Sequence, residues 1–178
     1  MFPAFKEWQV VVGALVAGRQ TLILRKGGLA EGRAGFEKRA ARFWLFPTAF
    51  HAQCDKIKPA AEIAPPLEPM KGEVLITAFA DVHHHAFLSD WECVRALDPH
   101  HIWTEATIRE RFDWSKPPGV HALVVRVHRL RQPVGFTPTP AMAGCRSWVD
   151  VPYAFADHAS DPVCDDVAFA ARVKAIGI

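Results

Sequence analysis

Residues 120–130, VHALVVRVHRL, constrain the fold more than any other stretch. In an extended chain Leu123, Val125 and Val127 fall on one side and Val124, Arg126 and His128 on the other, the period-two pattern of a strand. An arginine and a histidine on an otherwise apolar face make that side chemically informative. A second run, residues 74–87, opens as VLITAFA and then partly alternates through Asp81 and His83, so it reads as a long strand leaving the core with His83-His84-His85 at its far end. Two such strands need sheet partners. Shorter runs supply them: residues 21–24 ending at Arg25, residues 43–46 stopped by Pro47, and residues 145–149 after Gly144.

Helices are predicted around these strands. Ser89 or Asp90 caps a short one carrying Trp91, Val94 and Leu97, and Asp98-Pro99 opens another that runs to about Phe112, with His101, Glu105, Arg109 and Phe112 near one face. Residues 3–16 read as a helix, because Phe5, Trp8, Val12 and Leu15 recur at spacings of three and four; the β-branched run Val10-Val11-Val12 leaves a hairpin strand as the alternative. Residues 156–178 form a helical tail, most regular over 165–174. Residues 30–42 read as a loop, and Pro59, Pro65, Pro66 and Pro69 make residues 55–70 an extended connector. The sum is an α+β single domain over residues 1–178, a mixed β-sheet or small β-barrel with flanking helices.

Charge and composition narrow the function classes. With 178 residues, 50% of them hydrophobic, the chain can bury a core without metal or disulfide staples. No run of eighteen apolar residues is present to span a bilayer, and Met1 to Trp8 lack the pattern of a secretory signal, so a cytoplasmic protein without a membrane partner is expected. Cys54, Cys93, Cys145 and Cys164 are far apart, which excludes a zinc ribbon or a C-x-x-C redox motif. The net charge of +2 is small, but Arg19, Arg25, Lys26, Arg33, Lys38, Arg39 and Arg42 crowd one segment and Arg126, Arg129 and Arg131 another. Brought together, they make a basic face; left apart, a solvated surface.

Candidate site residues follow from these clusters. Arg25, Lys26, Gly27 and Gly28 combine two cations with a glycine turn, which makes either an anion-binding concavity or a charged β-turn, and they do not match a Walker loop. Phe43, Trp44 and Phe46 run toward Thr48 and His51 and offer rings for stacking a base, or else core. His51 and His101 are the candidate acid/base residues, with Glu105 or His128 as partners. Of the three consecutive histidines only His83 and His85 share a strand face, too few for a confident metal set, and no motif calls for a cofactor. Gly144-Cys145-Arg146-Ser147-Trp148 is not a G-x-S-x-G nucleophile motif.

The segments FKEW, LILRKGG, FWLFPTAFH, HHIWTEATIRERFDW, VVRVHRLRQP and GCRSWVDV occur in this order over residues 4–151. The chain thereby resembles a bacterial family of uncharacterised proteins, a domain of unknown function. That resemblance lends weight to Lys6, Glu7 and Trp8, to residues 25–28, to Phe46, Pro47, Thr48 and His51, to His101, Ile102 and Trp103, and to Arg126, Gly144, Cys145, Ser147 and Trp148. A wider likeness is to the ASCH branch of the PUA-like superfamily, small β-barrels associated with RNA and modified nucleotides. Its G-x-K-x-x-E-x-R motif is similar to residues 18–25, which keep Gly18 and Arg25 but carry Gln20 and Ile23 in place of the lysine and glutamate. The acid/base chemistry of those relatives is therefore not carried over.

Two functions fit. One is a module that binds a nucleotide, modified base or RNA segment in a basic, aromatic-lined cleft built from Arg25, Lys26, Gly27, Gly28, Trp44, Phe46, Thr48, Trp103 and Arg126. The other is an enzyme acting on a nucleotide or phosphoester with His51 or His101 as acid/base and Arg25, Lys26 and Arg126 stabilising negative charge. A structural, partner-binding protein is the remaining alternative.

Overall fold

A computed structural model describes residues 1–26, 39–48, 54–59, 72–114, 117–144 and 146–178. Within them the strands are β1 (Phe2–Trp8), β2 (Leu22–Arg25), β3 (Arg42–Thr48), β4 (Val74–Leu88), β5 (Val120–Phe136), β6 (Trp148–Val151) and β7 (Ser160–Pro162). The helices are α1 (Gln9–Val16), α2 (Trp91–Ala96), α3 (Glu105–Trp114) and α4 (Asp166–Ile176). The strands form one mixed sheet in the order β2-β5-β4-β3-β1-β6, with β7 also on β5. Only β1 and β3 run parallel; the other pairs are antiparallel. The path from β2 to β6 stays open, so the α+β reading holds as a mixed sheet and not as a closed barrel.

The N-terminal segment corrects the helix expected over residues 3–16. Phe2–Trp8 is a strand inserted between β3 and β6, and only Gln9–Val16 is helical. The spacing of Phe5, Trp8 and Val12 fits both periods, and sheet pairing on two sides decides the first half. Strand parity then sends Ala4 and Lys6 to one face and Phe5 and Glu7 to the other. Ala4 lies with Trp44, Phe46 and Phe79 in one buried cluster; Phe5 lies with Phe43, Leu45 and the β2 and β5 side chains in the larger one. Phe5 and Phe43 both meet Trp148 edge-on, at 4.9 and 5.2 Å between centroids.

Pro47, expected to end its strand, lies inside it, and Pro133 lies inside β5. Pro47 sits where β3 has left β4, which it pairs only through Trp44, while still following β1. Pro133 falls in the register break of β5 between its partners Ile76 and Ala78. Both positions spare a ladder that would need the missing N–H. Asp90 caps α2 as expected, accepting from the Glu92 amide at 2.8 Å.

The helix expected from Asp98 is broken. A short 3-10 turn covers Asp98–His100, and α3 begins only at Glu105. Between them Trp103 bridges to Ile57, and the Lys58 and Thr104 amides bond across at 2.8 and 3.1 Å. These pairings hold the chain extended, so His101 does not share a helix face with Arg109. The tail is likewise only partly helical: β7 interrupts it before α4, whose N-cap Asp165 accepts from the Ala168 amide.

Candidate anion-binding site

Glu7 is carried inward by the same strand parity that buries Phe5, and it is 1% exposed. One carboxylate oxygen accepts from the Trp8 amide at 2.8 Å; the other, Oε2, is buried with no hydrogen-bond partner. Arg25 ends β2 beside it. Its Nε and Nη2 donate to the Ser147 hydroxyl at 3.3 and 3.2 Å, Nη1 lies 3.7 Å from Glu7 Oε1, and the guanidinium stands over Phe5.

Arg111 reaches the same place from α3. It follows the buried Thr107 and Ile108 by four and three residues, so the helix turns it toward the core with them. Its Nη1 donates to the Leu24 carbonyl at 2.9 Å, and its guanidinium lies 3.9 Å from the Trp103 ring centroid and 5.5 Å from that of Trp8. Burial pulls its pKa down to about 10; Glu7 opposes that shift and Arg25 adds to it. The group stays charged at neutral pH, so two guanidinium ions face one buried carboxylate.

Lys26 adds a third cation. Its ammonium lies 3.4 Å from the Trp114 ring centroid, and burial first, then Arg111 and Arg25, pull it below the usual lysine value. These groups line an open cavity of about 670 Å³ with Trp8, Trp114, Lys56 and Glu110. Glu110 is engaged by Lys56 at 3.0 Å and Asp113 by Arg109 at 2.7 Å. The carboxylates on the rim are thus occupied, and the positive charge at the centre is incompletely matched.

Of the residues read from the sequence, Arg25, Lys26 and Trp103 meet here, Trp103 as the buried floor beneath Arg111. Thr48 is close to Glu7, donating to its carbonyl at 3.1 Å. Trp44 and Phe46 do not join them: both point to the opposite core cluster, where Trp44 donates to the Tyr153 carbonyl and is wholly buried. Arg126 is elsewhere too. It alternates with Val125 and Val127 of the larger core, pairs with Asp166 of α4 and lies over Phe169, and it shares none of the neighbours of Arg25. His101 is 6% exposed and takes no part in lining the cavity; burial, then Lys58, lowers its pKa to about 4. His51, Gly27, Gly28 and Cys145 lie outside the described residues.

Arg111, Trp114, Trp8 and Glu7 are the site residues that the candidate set lacked, although the family resemblance lends weight to Glu7 and Trp8. Sequence held a signal for two of them: Arg111 occupies an apolar helix face, and Glu7 follows Phe5 by two in what proved to be a strand.

A second cluster lies on the other core face. Arg42 donates through Nε and Nη2 to Asp81 at 2.6 and 2.8 Å, and His128 Nε2 is 3.1 Å from the same carboxylate. The His128 ring lies parallel to Phe79, with centroids 4.7 Å apart. An open hollow of about 700 Å³ adjoins it, lined by Phe2, Phe155 and His158 among others. Burial alone would raise the Asp81 carboxyl, but Arg42, then His128, hold it below its usual value. Among the described residues no three His, Cys, Asp or Glu side chains gather to hold a metal ion, and no helix is long and apolar enough to cross a membrane.

The chain belongs to the family described as a domain of unknown function, DUF1802, whose model matches residues 4–175 and so runs on through the tail. No protein of curated function matches its sequence. Two similar solved structures are of an ASCH protein from Zymomonas mobilis, one a serine-to-alanine and one a tyrosine-to-phenylalanine mutant. The first is 17% identical with a TM-score of 0.48, covering 74% of this chain and 72% of that one. The second is 16% identical with a TM-score of 0.47, covering 74% and 73%.

Proposed function

For this member of a family of unknown function, we propose that the cavity between β2 and α3 binds the phosphate end of a nucleotide or of an RNA segment. Arg25, Lys26 and Arg111 take the anion, and the rings of Trp114 and Trp8 at the rim take the base. The single observation that carries this is the gathering of three cations around one open cavity with one buried carboxylate among them. Bringing like charges together in a partly desolvated place is costly, and a bound anion offsets that cost. Stacking on an exposed tryptophan is worth roughly 1–3 kcal/mol in binders of single strands.

Titration calorimetry with adenosine 5′-monophosphate, and retention on immobilised poly-uridine RNA, test it. The Arg25→Ala/Lys26→Ala double variant loses both kinds of binding; because Arg25 also faces the buried Glu7 and bonds Ser147, its melting temperature falls, and circular dichroism below the melt establishes that it is folded. Retention of the double variant equal to that of the parent refutes the proposal.

A further inference from the structure

We propose that His85 and His121 form a proton-sharing pair that stands beside the anion site, behind its lining, and makes it select a dianion, such as a phosphomonoester, over a monoanion. This rests on the anion-binding reading of Arg25. His85 Nε2 and His121 Nδ1 are 3.1 Å apart, with ring centroids 5.3 Å apart and planes inclined by 25°. The centroid separation exceeds the nitrogen separation by roughly two ring radii, so the rings point at each other nearly end to end. That is the geometry of one N–H shared between two lone pairs. It does not suit a metal ion, which would need the nitrogens to converge on a point beside that line or to stand farther apart.

The sheet register places the pair beside the site. His121 is the cross-strand partner of Arg25 on one side and of Phe87 on the other. Cross-strand partners present their side chains on one face with Cβ atoms about 5 Å apart. Both imidazoles are partly exposed, and Phe87, 45% exposed, lies against His121 with centroids 4.9 Å apart. Among the described residues, the ionisable groups on neighbouring elements are Arg25 of β2 and Lys26 just after it, Glu7 behind Arg25, the exposed His83 and His84 of β4, and the Glu92–Arg95 ion pair of α2.

A neutral pair holds one proton between the rings and one on an outer nitrogen. A third proton adds a positive charge and keeps the internal hydrogen bond; a fourth sets two N–H groups against each other, so the pair accepts one. Arg25 and Lys26 oppose that proton while the site is empty. A bound anion removes the opposition, and by reciprocity the proton tightens the anion. Two charges on the anion couple to it more strongly than one.

Calorimetry on the full chain at constant ionic strength tests this, with sulfate as a dianion that does not titrate and formate as a monoanion. Binding is measured at about pH 5.5 and about pH 8, either side of the ordinary histidine range, in buffers of different ionisation heat. Sulfate is expected to bind about tenfold tighter at the lower pH, on the order of one pK unit of coupling, with uptake of a proton, while formate changes little. His121→Gln and His85→Gln flatten the sulfate profile, and circular dichroism melts establish that each variant is folded; a flat profile in either folded variant supports the pair. Sulfate binding that depends on Arg25 but not on pH overturns the pair's role and leaves the anion site standing. A pH dependence that survives in both glutamine variants overturns it as well. No sulfate binding at either pH overturns the anion reading and this inference with it.

Discussion

The two arginine clusters on opposite faces of the sheet differ in how their charge is met. Arg42 is met by a full bidentate partner: both Asp81 oxygens accept from it, with His128 at the edge of the same carboxylate, and the Arg42 and Asp81 side chains are 48% and 32% exposed. Arg25 and Arg111 share Glu7, which is fully buried, approaches Arg25 only to 3.7 Å and leaves one oxygen unpartnered. A matched, watered pair is worth little and asks for nothing further. Surplus charge held under partial burial is a standing cost, and a bound anion is the simplest thing that removes it. The difference teaches where to look for a ligand better than the count of arginines does.

The largest test of this contrast is stability. Arg111→Ala strips a buried charge from Glu7 and should cost about 3 kcal/mol in urea unfolding, whereas Arg42→Ala, with a half-exposed partner, should cost less than about 1 kcal/mol. Equal losses would erase the distinction. Acid sensitivity comes next. The folded value of His101, about 4, lies below the ordinary value of about 6.5, so the unfolded chain takes the proton first. Stability is whole above about pH 6.5 and falls toward pH 4, by roughly 3 kcal/mol in total. His101→Gln should flatten melting temperature across that window; an unchanged slope would show that His101 is not held neutral by its surroundings.

A smaller effect is expected at Glu7. Glu7→Gln leaves Arg25 and Arg111 less compensated, so sulfate should bind several-fold tighter while the fold loses roughly 1–2 kcal/mol. Weaker sulfate binding in a folded variant would mean that Glu7 serves the ligand directly. The smallest effect is at Asp81. Its depressed carboxyl contributes stability above the ordinary value of about 3.9 and loses it as pH falls through the folded value. Asp81→Asn should change stability by less than about 1 kcal/mol at neutrality, remove that acid limb, and leave anion binding untouched.

The parts of the fold that were legible in the sequence are those where period and pairing agree. β4 and β5 announce themselves through alternation, and Arg25 at the end of β2 follows from the glycine-bounded run before it. β1 was hidden because Phe5, Trp8 and Val12 satisfy a helical period, while Lys6 and Glu7 look like solvent residues. Only the neighbours on both sides, β3 and β6, make that segment a strand. His101 was drawn onto a helix by Asp98-Pro99, a sound start signal that produced a single 3-10 turn before Trp103 paired with Ile57. At the site, Arg25 and Lys26 were readable as a basic turn. Their meeting with Arg111 was not, since it depends on how α3 lies across the end of β2, a tertiary contact that no local pattern encodes. Arg126 looked equivalent to Arg25 by residue type, and strand parity separates them.

Side-chain guanidinium NMR reads the contrast most directly. On titration with sulfate, the Nε resonances of Arg25 and Arg111 should shift together along one saturating curve while that of Arg42 stays in place. Arg42 moving on the same curve, or Arg25 and Arg111 remaining still at saturating anion, would contradict the account.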